Sequence, residues 1–574
     1  MDIKGTELFV KALREEGVDT VFGYPGGMAI DLFDALYDAD DIEVILPRHE
    51  QALVHEADGY ARSTGKVGVC LVTSGPGATN LVTGIATANF DSVPLVCFTG
   101  QVSRDLIGND AFQEIDIVGV TRNICKYAVT VRERKDLASI IKKAFYVARS
   151  GKPGPVIVDI PKDIQLEAGS DEYPSEIFIR GYKPSTGVHV GQLKKAMTML
   201  KAAKKPVFLI GGGVRISGAG DELTKLAERM RIPVITTIMG KGTIPTDHPL
   251  YVGNIGMYGN YASNNAVSEC DVLFAIGVRF SDRITGRIED FAPNAKIIHV
   301  DIDTASISRN IVVNVPIVAD AKTAIEEMLK HAAECRTESW IEEIDEWKRE
   351  KPINMNNCEG MTPEKIIRGI NEIFPDSIVV TDVGQNQLWT TQFLEMNGKR
   401  QLLTSGGLGT MGYGLPAAIG ASLGNPGAPV ICISGDGGAQ MNIQELATAS
   451  ALETPVIFCI FNNTYLGNVK QMQKMFYNKR YSSTCLRYTR GCNRRCELDG
   501  TCAGADYLPD FVKLAESYRA DGIRVASEEE IEPAFRRAAA NTKKPTVIEF
   551  MIDCDYDVYP MVPGGKALTD MLFG

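Results

Sequence analysis

An acidic residue and an amide residue follow two successive apolar strands in the last third of the chain. One apolar run ends in Gly435-Asp436-Gly437-Gly438, and the next ends in Asn462-Asn463. Because the carboxyl ends of parallel strands share one sheet edge, Asp436 and Asn463 are expected to lie side by side. A carboxylate, an amide oxygen and bare glycine backbone suit Mg²⁺ that also carries phosphate ligands. Gly-Asp-Gly alone is usually a turn, but the paired asparagines favour a diphosphate site.

A second candidate acid lies in the first third. An apolar run over residues 42–47 leads into Arg48-His49-Glu50, and a helical pattern follows. An isolated glutamate at a helix start more often just complements the helix dipole. However, two glycine-rich turns, at residues 23–27 and 74–80, are predicted at the same sheet edge. Together with Glu50 they could wall a single pocket.

The first and last thirds carry matching patterns. Gly59 precedes a strand that ends at Gly75, 16 residues later, and Gly420 precedes one that ends at Gly435, 15 residues later. Strands alternate with helices throughout, which is typical of α/β proteins. We predict three doubly wound parallel-sheet domains, of which the first and third arose by duplication.

Two polar stretches divide the chain. Residues 167–187 are rich in Pro, Ser, Gly and charge, and residues 331–362 are charged and end in an Asn-rich loop. Interpreting both as linkers, we predict domains at residues 1–185, 186–345 and 360–574.

Composition excludes several classes of function. The 574 residues carry a net charge of −12, which argues against nucleic acid as a partner. No apolar run is long enough to span a bilayer, and the N-terminus resembles neither a signal nor a transit peptide. We therefore predict a cytoplasmic protein without a membrane role, whose 13 cysteines are thiols.

Longer strings of residues resemble one family nearly end to end. The chain resembles thiamine-diphosphate enzymes and, among them, the catalytic large subunits of acetolactate synthases. Gly-Asp-Gly with Asn-Asn is typical of the wider superfamily, whereas the strings around Arg283 and Met411 are typical of a much smaller group within it. The strings that carry the resemblance include Phe22-Gly23-Tyr24-Pro25-Gly26-Gly27, Arg48-His49-Glu50, Arg279-Phe280-Ser281-Asp282-Arg283 and Gly406-Gly407-Leu408-Gly409-Thr410-Met411-Gly412.

The resemblance implies a pyrimidine-binding first domain and a diphosphate-binding third domain for thiamine diphosphate. Glu50 would hydrogen-bond the aminopyrimidine ring and assist proton transfer from the thiazolium. Met411 would bend the cofactor. The implied Mg²⁺ ligands are Asp436, Asn463 and the carbonyl of Tyr465. The other implied contacts are Tyr24, Pro25, Gly26, Pro76, Gly384, Gln385, Gly409, Gly437 and Gly438.

The implied reaction is a transferase reaction of branched-chain amino-acid biosynthesis. Pyruvate is decarboxylated, and its two-carbon unit passes to a second 2-keto acid, either pyruvate or 2-ketobutyrate. Arg283 fits an anchor for the second carboxylate, because guanidinium binds carboxylate bidentately, although a surface ion pair is the ordinary alternative. By resemblance, Gln113, Lys162 and Phe112 line the substrate channel at the interface of a homodimer or homotetramer. A small regulatory subunit is a further implied partner.

The middle third resembles the FAD-binding domain of the same family, in which the flavin is structural. A glycine triplet alone is weak evidence for a nucleotide site. The implied flavin contacts are Gly211, Gly212, Gly213, Thr237, Met257, Arg279, Asp282, Asp301 and Asp320. Tyr258 stands where many relatives have His.

Other positions also depart from the family pattern. Asn468 and Met472 stand where Met and Trp are usual, and the Trp is thought to favour 2-ketobutyrate. An aromatic contact to one methylene is worth only about 1–3 kcal/mol. We therefore expect a weak preference for 2-ketobutyrate and mainly 2-acetolactate as product.

An apparent insertion, residues 488–506, contains Cys492, Cys496 and Cys502 close to Cys485. A zinc or iron–sulfur centre and free thiols both stay open as interpretations.

Two alternatives to an acetolactate synthase also remain: another flavin-containing thiamine enzyme, such as a pyruvate oxidase-like or other carboligase paralogue, or a catalytically silent cofactor-binding paralogue.

Overall fold

The computed structural model describes residues 2–184, 187–487 and 508–574. These residues form three six-stranded sheets and one small antiparallel pair. The strands are β1 (Asp2–Lys4), β2 (Thr20–Tyr24), β3 (Glu43–Ile45), β4 (Gly68–Val72), β5 (Leu95–Gln101), β6 (Tyr127–Thr130), β7 (Pro155–Pro161), β8 (Ala168–Ser170), β9 (Pro206–Ile210), β10 (Val234–Thr236), β11 (Tyr251–Asn254), β12 (Val272–Ile276), β13 (Lys296–Asp301), β14 (Val315–Val318), β15 (Ile378–Thr381), β16 (Gln401–Thr404), β17 (Val430–Gly435), β18 (Ile457–Asn462), β19 (Asp521–Val525) and β20 (Thr546–Met551).

Helices cover both faces of each large sheet. They are α1 (Gly5–Glu15), α2 (Ile30–Tyr37), α3 (Glu50–Thr64), α4 (Pro76–Asn80), α5 (Val82–Asp91), α6 (Ile117–Thr121), α7 (Leu137–Arg149), α8 (Lys162–Leu166), α9 (Val190–Ala202), α10 (Gly212–Ile216), α11 (Gly220–Met230), α12 (Tyr261–Glu269), α13 (Asp282–Thr285), α14 (Ala321–His331), α15 (Glu338–Glu350), α16 (Pro363–Ile373), α17 (Gln385–Phe393), α18 (Gly414–Gly424), α19 (Asp436–Ala439), α20 (Leu446–Ala451), α21 (Gly467–Phe476), α22 (Phe511–Ser517) and α23 (Ile531–Ala540). Short 3₁₀ turns lie at Arg134–Asp136, Ile238–Gly240, Ile288–Asp290, Ile443–Glu445 and Glu528–Glu530.

The first and third sheets share one topology. Their strand orders are β3-β2-β4-β5-β7-β6 and β16-β15-β17-β18-β20-β19, and every pairing within them is parallel. Counted from the first strand of each sheet, both orders are the same. The prediction of an α/β fold with three parallel-sheet domains is confirmed, and the shared order agrees with duplication of the first and third.

The middle sheet follows a different order, β11-β10-β9-β12-β13-β14. This is the order of dinucleotide-binding sheets, in which the connection reverses direction beside the first strand. That crevice lies between β9 and β12, which pair in parallel.

The two predicted linkers contain regular structure. β8 lies within the first and pairs antiparallel with β1. The second includes α15, whose Trp340 and Ile344 are buried against the middle domain. Interpreting all of residues 331–362 as linker was therefore wrong, because the apolar i, i+4 spacing in this charged stretch makes an amphipathic helix.

The first and third domains pack through α3 and α18. A Cβ at Gly59 would overlap the carbonyl oxygen of Ala417, and one at Gly420 would overlap the carbonyl oxygen of Glu56. The two glycines of the duplicated pattern therefore lie at one helix crossing, where each permits close approach of the other helix.

None of the helices in the described ranges combines the length and the apolar composition that a bilayer crossing demands. Every cysteine in those ranges is a free thiol, as predicted.

Candidate active site

The carboxyl edge of the third sheet carries the predicted metal ligands. β17 ends at Gly435 beside β18, and Asp436 and Asn463 follow these two neighbouring strands. Asp436 is 1% exposed and Asn463 is also buried. The structure thus brings both residues to one edge, as adjacent parallel strands require.

The carboxylate of Asp436 is only half satisfied. Its Oδ1 accepts the N–H of Gly437 at 3.0 Å, whereas the buried Oδ2 has no hydrogen-bond partner in the described chain. Burial raises the pKa of Asp436 to about 7, because an ionised carboxylate is costly there without a compensating charge. Asn463 Oδ1 accepts the N–H of Tyr465 at 3.1 Å, so Tyr465 belongs to the same turn. These oxygen-bearing residues fit a hard cation such as Mg²⁺.

The start of α17 lies beside this turn. Gly384 has a φ of +136°, and the side chain of Gln385 bonds to Asn463 and Gln471, each at 3.2 Å. The Gln385 amide is therefore engaged within the protein, and its backbone at the helix start is the part suited to phosphate. Sequence reasoning missed Asn386, which is buried with an unpartnered Oδ1.

Met411 faces the glycines of the Gly-Asp-Gly turn. Its Cε lies 3.7 Å from the position that a Cβ on Gly437 would take, and Leu466 lies closer still. A Cβ at residue 437 would overlap Leu466, so glycine is needed for the turn to lie this close to Leu466. Gly409, with a φ of +73°, lies in the exposed part of the same loop.

Sequence reasoning also missed Asp382, which follows β15 at the same edge. Its carboxylate accepts backbone N–H groups from Val383, Gly412 and Gly414 at 2.8 to 3.1 Å. A Cβ at Gly438 would overlap Asp382 Oδ1. Burial raises the pKa of Asp382 to about 6. The sequence did carry a signal for Asp382, because it is a carboxylate that directly follows a third apolar strand.

The first-domain candidates lie at the corresponding edge of the first sheet. Glu50 is the first residue of α3, and its Oε2 accepts a hydrogen bond from Asn80 Nδ2 at 2.9 Å. Asn80 ends α4, which begins at Pro76. Tyr24 ends β2, and Pro25 and Gly26 follow it. The glycine-rich turns and Glu50 therefore line one edge, as predicted from the strand ends.

The predicted substrate residues have different contact partners. The backbone of Gln113, with a φ of +60°, packs against Gly75. Lys162 pairs with Asp31 at 2.7 Å and donates to the carbonyl of Gly27 at 3.0 Å.

Arg283 is in the middle domain. Its side chain is 69% exposed, and its carboxylate contact is a loose one of 3.9 Å to Asp282. The guanidinium is therefore open to a ligand carboxylate.

Within one chain the segment before Glu50 is joined to the third domain, because the N–H of Arg48 donates to the carboxylate of Glu445 at 3.0 Å. Among the described residues, the hydrogen bond from Asn80 is the only one that the Glu50 carboxyl makes, and no hydrogen bond joins Glu50 to Asp436 or Asn463. The two domains also pack through α3 and α18.

The junction of all three domains encloses a cavity of about 840 Å³. Seven of the nine predicted flavin residues line it, whereas Met257 and Asp282 lie outside its lining. The lining ones are Gly211, Gly212, Gly213, Thr237, Arg279, Asp301 and Asp320. Since this crevice sits where the sheet order reverses, its shape and lining fit a dinucleotide.

The cavity also has charged walls that sequence reasoning missed. Arg62 and Asp91 of the first domain and Arg215 of the middle domain line it. Arg215 donates to the carbonyl of Leu402, and burial lowers the pKa of its guanidinium to about 10. Only the folded chain brings these residues together, since they come from different domains.

Comparison with known proteins agrees with this geometry. The thiamine pyrophosphate enzyme family models match as an N-terminal TPP binding domain over residues 3–120, a central domain over 193–328 and a C-terminal TPP binding domain over 382–550. The probable acetolactate synthase large subunit of Methanocaldococcus jannaschii is 46% identical, over 99% of this chain and 95% of its own length. The chain belongs to the acetolactate synthase large-subunit family.

Bacterial members of the acetolactate synthase large-subunit family agree. The large subunit of Haemophilus influenzae is 43% identical, and the isozyme 3 large subunit of Escherichia coli is 41% identical. Both alignments cover 99% of this chain and 98% of the relative. The resemblance identified from the sequence is confirmed, and the alternatives to this family are not favoured.

The cysteine-rich insertion begins three residues after Cys485. Cys492, Cys496 and Cys502 lie outside the described residues. Cys485 forms an isolated antiparallel bridge with Tyr465, next to the candidate metal turn.

Proposed function

We propose that the protein is the catalytic subunit of an acetolactate synthase. It decarboxylates pyruvate and transfers the two-carbon unit to a second 2-keto acid, pyruvate or 2-ketobutyrate. The observation that supports this most strongly is the pair of matching sheet edges, one with Glu50 and one with Asp436 and Asn463, in a chain of this family. When bound, thiamine diphosphate supplies the carbon centre that accepts the two-carbon unit.

Glu50 is the proposed proton-transfer group. Asn80 holds its Oε2 at 2.9 Å, while Oε1 lies 3.6 Å from the position of a Cβ at Gly77 and faces the glycine-rich turn. At this edge the carboxyl can hold and return a proton at the aminopyrimidine ring. General acid–base assistance of this kind typically contributes about 10²- to 10⁴-fold in rate.

Mg²⁺ and FAD are part of the proposal. Asp436, Asn463 and Tyr465 would hold Mg²⁺, and the unpartnered Asp436 Oδ2 supports this. The flavin would occupy the 840 Å³ cavity, supported by Gly211–Gly213 after β9 and by the dinucleotide-type strand order. Extraction of purified protein should release flavin. Arg215→Leu, which removes a half-buried charge from the cavity wall, should reduce the extracted flavin.

A homodimer completes the site in this proposal, with Glu50 from one copy and Asp436 from the other. It agrees with the lack, among the described residues of one chain, of a hydrogen bond between Glu50 and Asp436 or Asn463. The exposure of apolar side chains near the two edges also supports it, with Phe112 82% exposed and Ile30, Leu408 and Met441 also exposed. A second copy covering both edges would remove this apolar surface from water. A homotetramer would repeat the same contact.

Complementation between two inactive variants tests this arrangement. Glu50→Gln and Asp436→Asn should each lose acetolactate formation when expressed alone. If the site spans two copies, random mixed dimers hold one intact site in half of the assemblies, and about a quarter of wild-type activity returns. Glu43→Gln, an exposed residue of β3, serves as the matched control for Glu50→Gln.

Two results would contradict the proposal in different ways. Absence of pyruvate-dependent acetolactate from the wild-type protein with Mg²⁺, thiamine diphosphate and FAD would reject the activity. Wild-type activity without any recovery in the mixture would reject only the shared site.

The relatives are named large subunits, which implies a small subunit in those proteins. We include a small regulatory subunit and a cytoplasmic location in the proposal for this chain. Co-purification of a tagged copy from its native cells tests the partner.

A further inference from the structure

The loop that carries Met411 is fastened to the first domain of its own chain. This loop, residues 404–413, runs from the last residue of β16 to the residue before α18. Arg62 donates to the carbonyl of Thr404 at 2.9 Å, and Asp91 accepts the N–H of Gly406 at 3.1 Å. We call residues 404–413 the Met411 loop.

Two further contacts fasten the other end of the Met411 loop. The hydroxyls of Thr87 and Thr410 lie 2.8 Å apart, and Tyr413 donates to Asp58 at 2.7 Å. All four first-domain groups that hold the loop belong to α3 or α5. Met411 therefore lies between Thr410 and Tyr413, the second pair of residues in contact with the first domain.

These contacts come from a buried ion cluster. Arg62 bonds to Asp58 at 2.6 Å and to Asp91 at 3.0 Å, with side chains 5% or less exposed. Asp91 Oδ1 is buried without a hydrogen-bond partner in the described chain. A buried ion cluster adds little to the free energy of unfolding compared with an apolar replacement. We therefore expect its main effect to be on the conformation of the Met411 loop, to which it is bonded.

The middle domain closes the remaining side of the Met411 loop. A Cβ at Gly406 would overlap Met239, and one at Gly407 would lie 2.6 Å from Asp91 Oδ1 and 2.8 Å from Arg279. The loop is thus enclosed by first-domain and middle-domain groups, while Met411 faces Gly437 at the candidate diphosphate turn.

We propose that Arg62 and Asp91, assisted by Thr87, are positioning residues that fix the Met411 loop for thiamine diphosphate. They act through the loop and do not touch the cofactor. The inference rests on the proposed function, because it assumes that Met411 lies against that cofactor. It assigns to the first domain a second role, separate from that of Glu50.

The test is a titration of each apo variant with thiamine diphosphate at saturating Mg²⁺. Asp91→Asn keeps the size of the side chain but removes the charge that serves both Arg62 and Gly406. Loss of a charge-assisted hydrogen bond predicts an increase of about tenfold in the cofactor concentration for half-saturation. Half-saturation is measured both by activity and by near-ultraviolet circular dichroism of the bound cofactor.

A second variant with a smaller change is needed in case Asp91→Asn does not fold. Thr87→Val replaces only the hydroxyl that meets Thr410, and half-saturation should rise about threefold. Thr121→Val is its matched control, because the buried Thr121 hydroxyl donates to the carbonyl of Ile117 within α6 of the first domain. Asp159→Asn is the control for Asp91→Asn, since the side-chain partners of Asp159 all lie in the first domain.

The outcomes separate the two proposals. Weaker cofactor binding in Asp91→Asn and Thr87→Val, with controls like wild type, supports positioning by the first domain. If Asp91→Asn does not fold, Thr87→Val decides alone. Wild-type cofactor binding in Thr87→Val, or an equal change in Thr121→Val, overturns the inference even when the wild-type protein makes acetolactate.

Discussion

Tyr258 donates a hydrogen bond of 3.1 Å to Asn468 Oδ1 across the boundary between the middle and third domains. Both positions are expected from the sequence to depart from the pattern of the family, and the structure shows that they are partners. Burial raises the pKa of Tyr258 to about 12, so its hydroxyl stays a donor at ordinary pH. The bond joins the residue after Met257 to the second residue of α21, which also carries Met472.

Tyr258→Phe should lower the free energy of unfolding by about 1 kcal/mol, because the Asn468 amide loses its side-chain partner. Urea unfolding of the whole chain measures this. Tyr261→Phe is the matched control, since the Tyr261 hydroxyl makes no hydrogen bond in the part of the chain that the structure describes. Equal effects from both substitutions would contradict a specific role for the Tyr258–Asn468 bond.

Met472→Trp should raise, about tenfold, the ratio of the product made from 2-ketobutyrate to 2-acetolactate. Met472 follows Asn468 by one helical turn, so both residues lie on the face of α21 toward the middle domain. A larger aromatic contact to one extra methylene is worth about 1–3 kcal/mol. Equimolar pyruvate and 2-ketobutyrate, with both products quantified, give the ratio. An unchanged ratio would remove α21 from the acceptor site.

Asp436→Asn should raise the Mg²⁺ concentration for half-maximal cofactor binding by at least about tenfold, since even groups around metal ligands change affinity about 10- to 100-fold. Asp555→Asn is the control. Asp555 lies in a second group of potential ligands with Asp553 and Cys554, and it pairs with Lys470 at 3.2 Å. If Asp555→Asn changes the Mg²⁺ requirement and Asp436→Asn does not, the metal site has been misplaced.

Asp159 should make stability fall as pH rises. It is 1% exposed in β7, and burial raises its pKa from 3.8 to about 6 in the folded chain. The folded state therefore holds this proton more tightly than the unfolded state. This contribution is complete below the unfolded pKa and is lost as pH rises through about 6.

The decrease in the free energy of unfolding caused by Asp159 should be about 3 kcal/mol at most, from a pKa difference of about 2 between the folded and unfolded states. Unfolding free energies of wild type and Asp159→Asn, compared between pH 4.5 and pH 7.5, isolate this group, since other buried carboxyls such as Asp382 are common to both. A difference that does not change with pH would contradict the prediction.

The local pattern of the chain was enough to predict the fold class and the duplication. Strand ends at Gly435 and Asn462 were readable because apolar runs stop at turn residues, and parallel strands place such stops at one edge. Glu50 was placed correctly at a helix start for the same reason. The resemblance to the family also implied seven of the residues that line the middle cavity.

Relationships between distant segments were decided by tertiary structure alone. Arg62 and Thr404 are 342 positions apart and meet only because α3 packs on the third domain. Nothing in the local sequence distinguishes Asp91 from an ordinary helix-end aspartate. Similarly, the charged segment around Trp340 became a helix because the middle domain offered an apolar surface. Sequence alone thus determined what each segment can do, and burial between domains determined which segments act together.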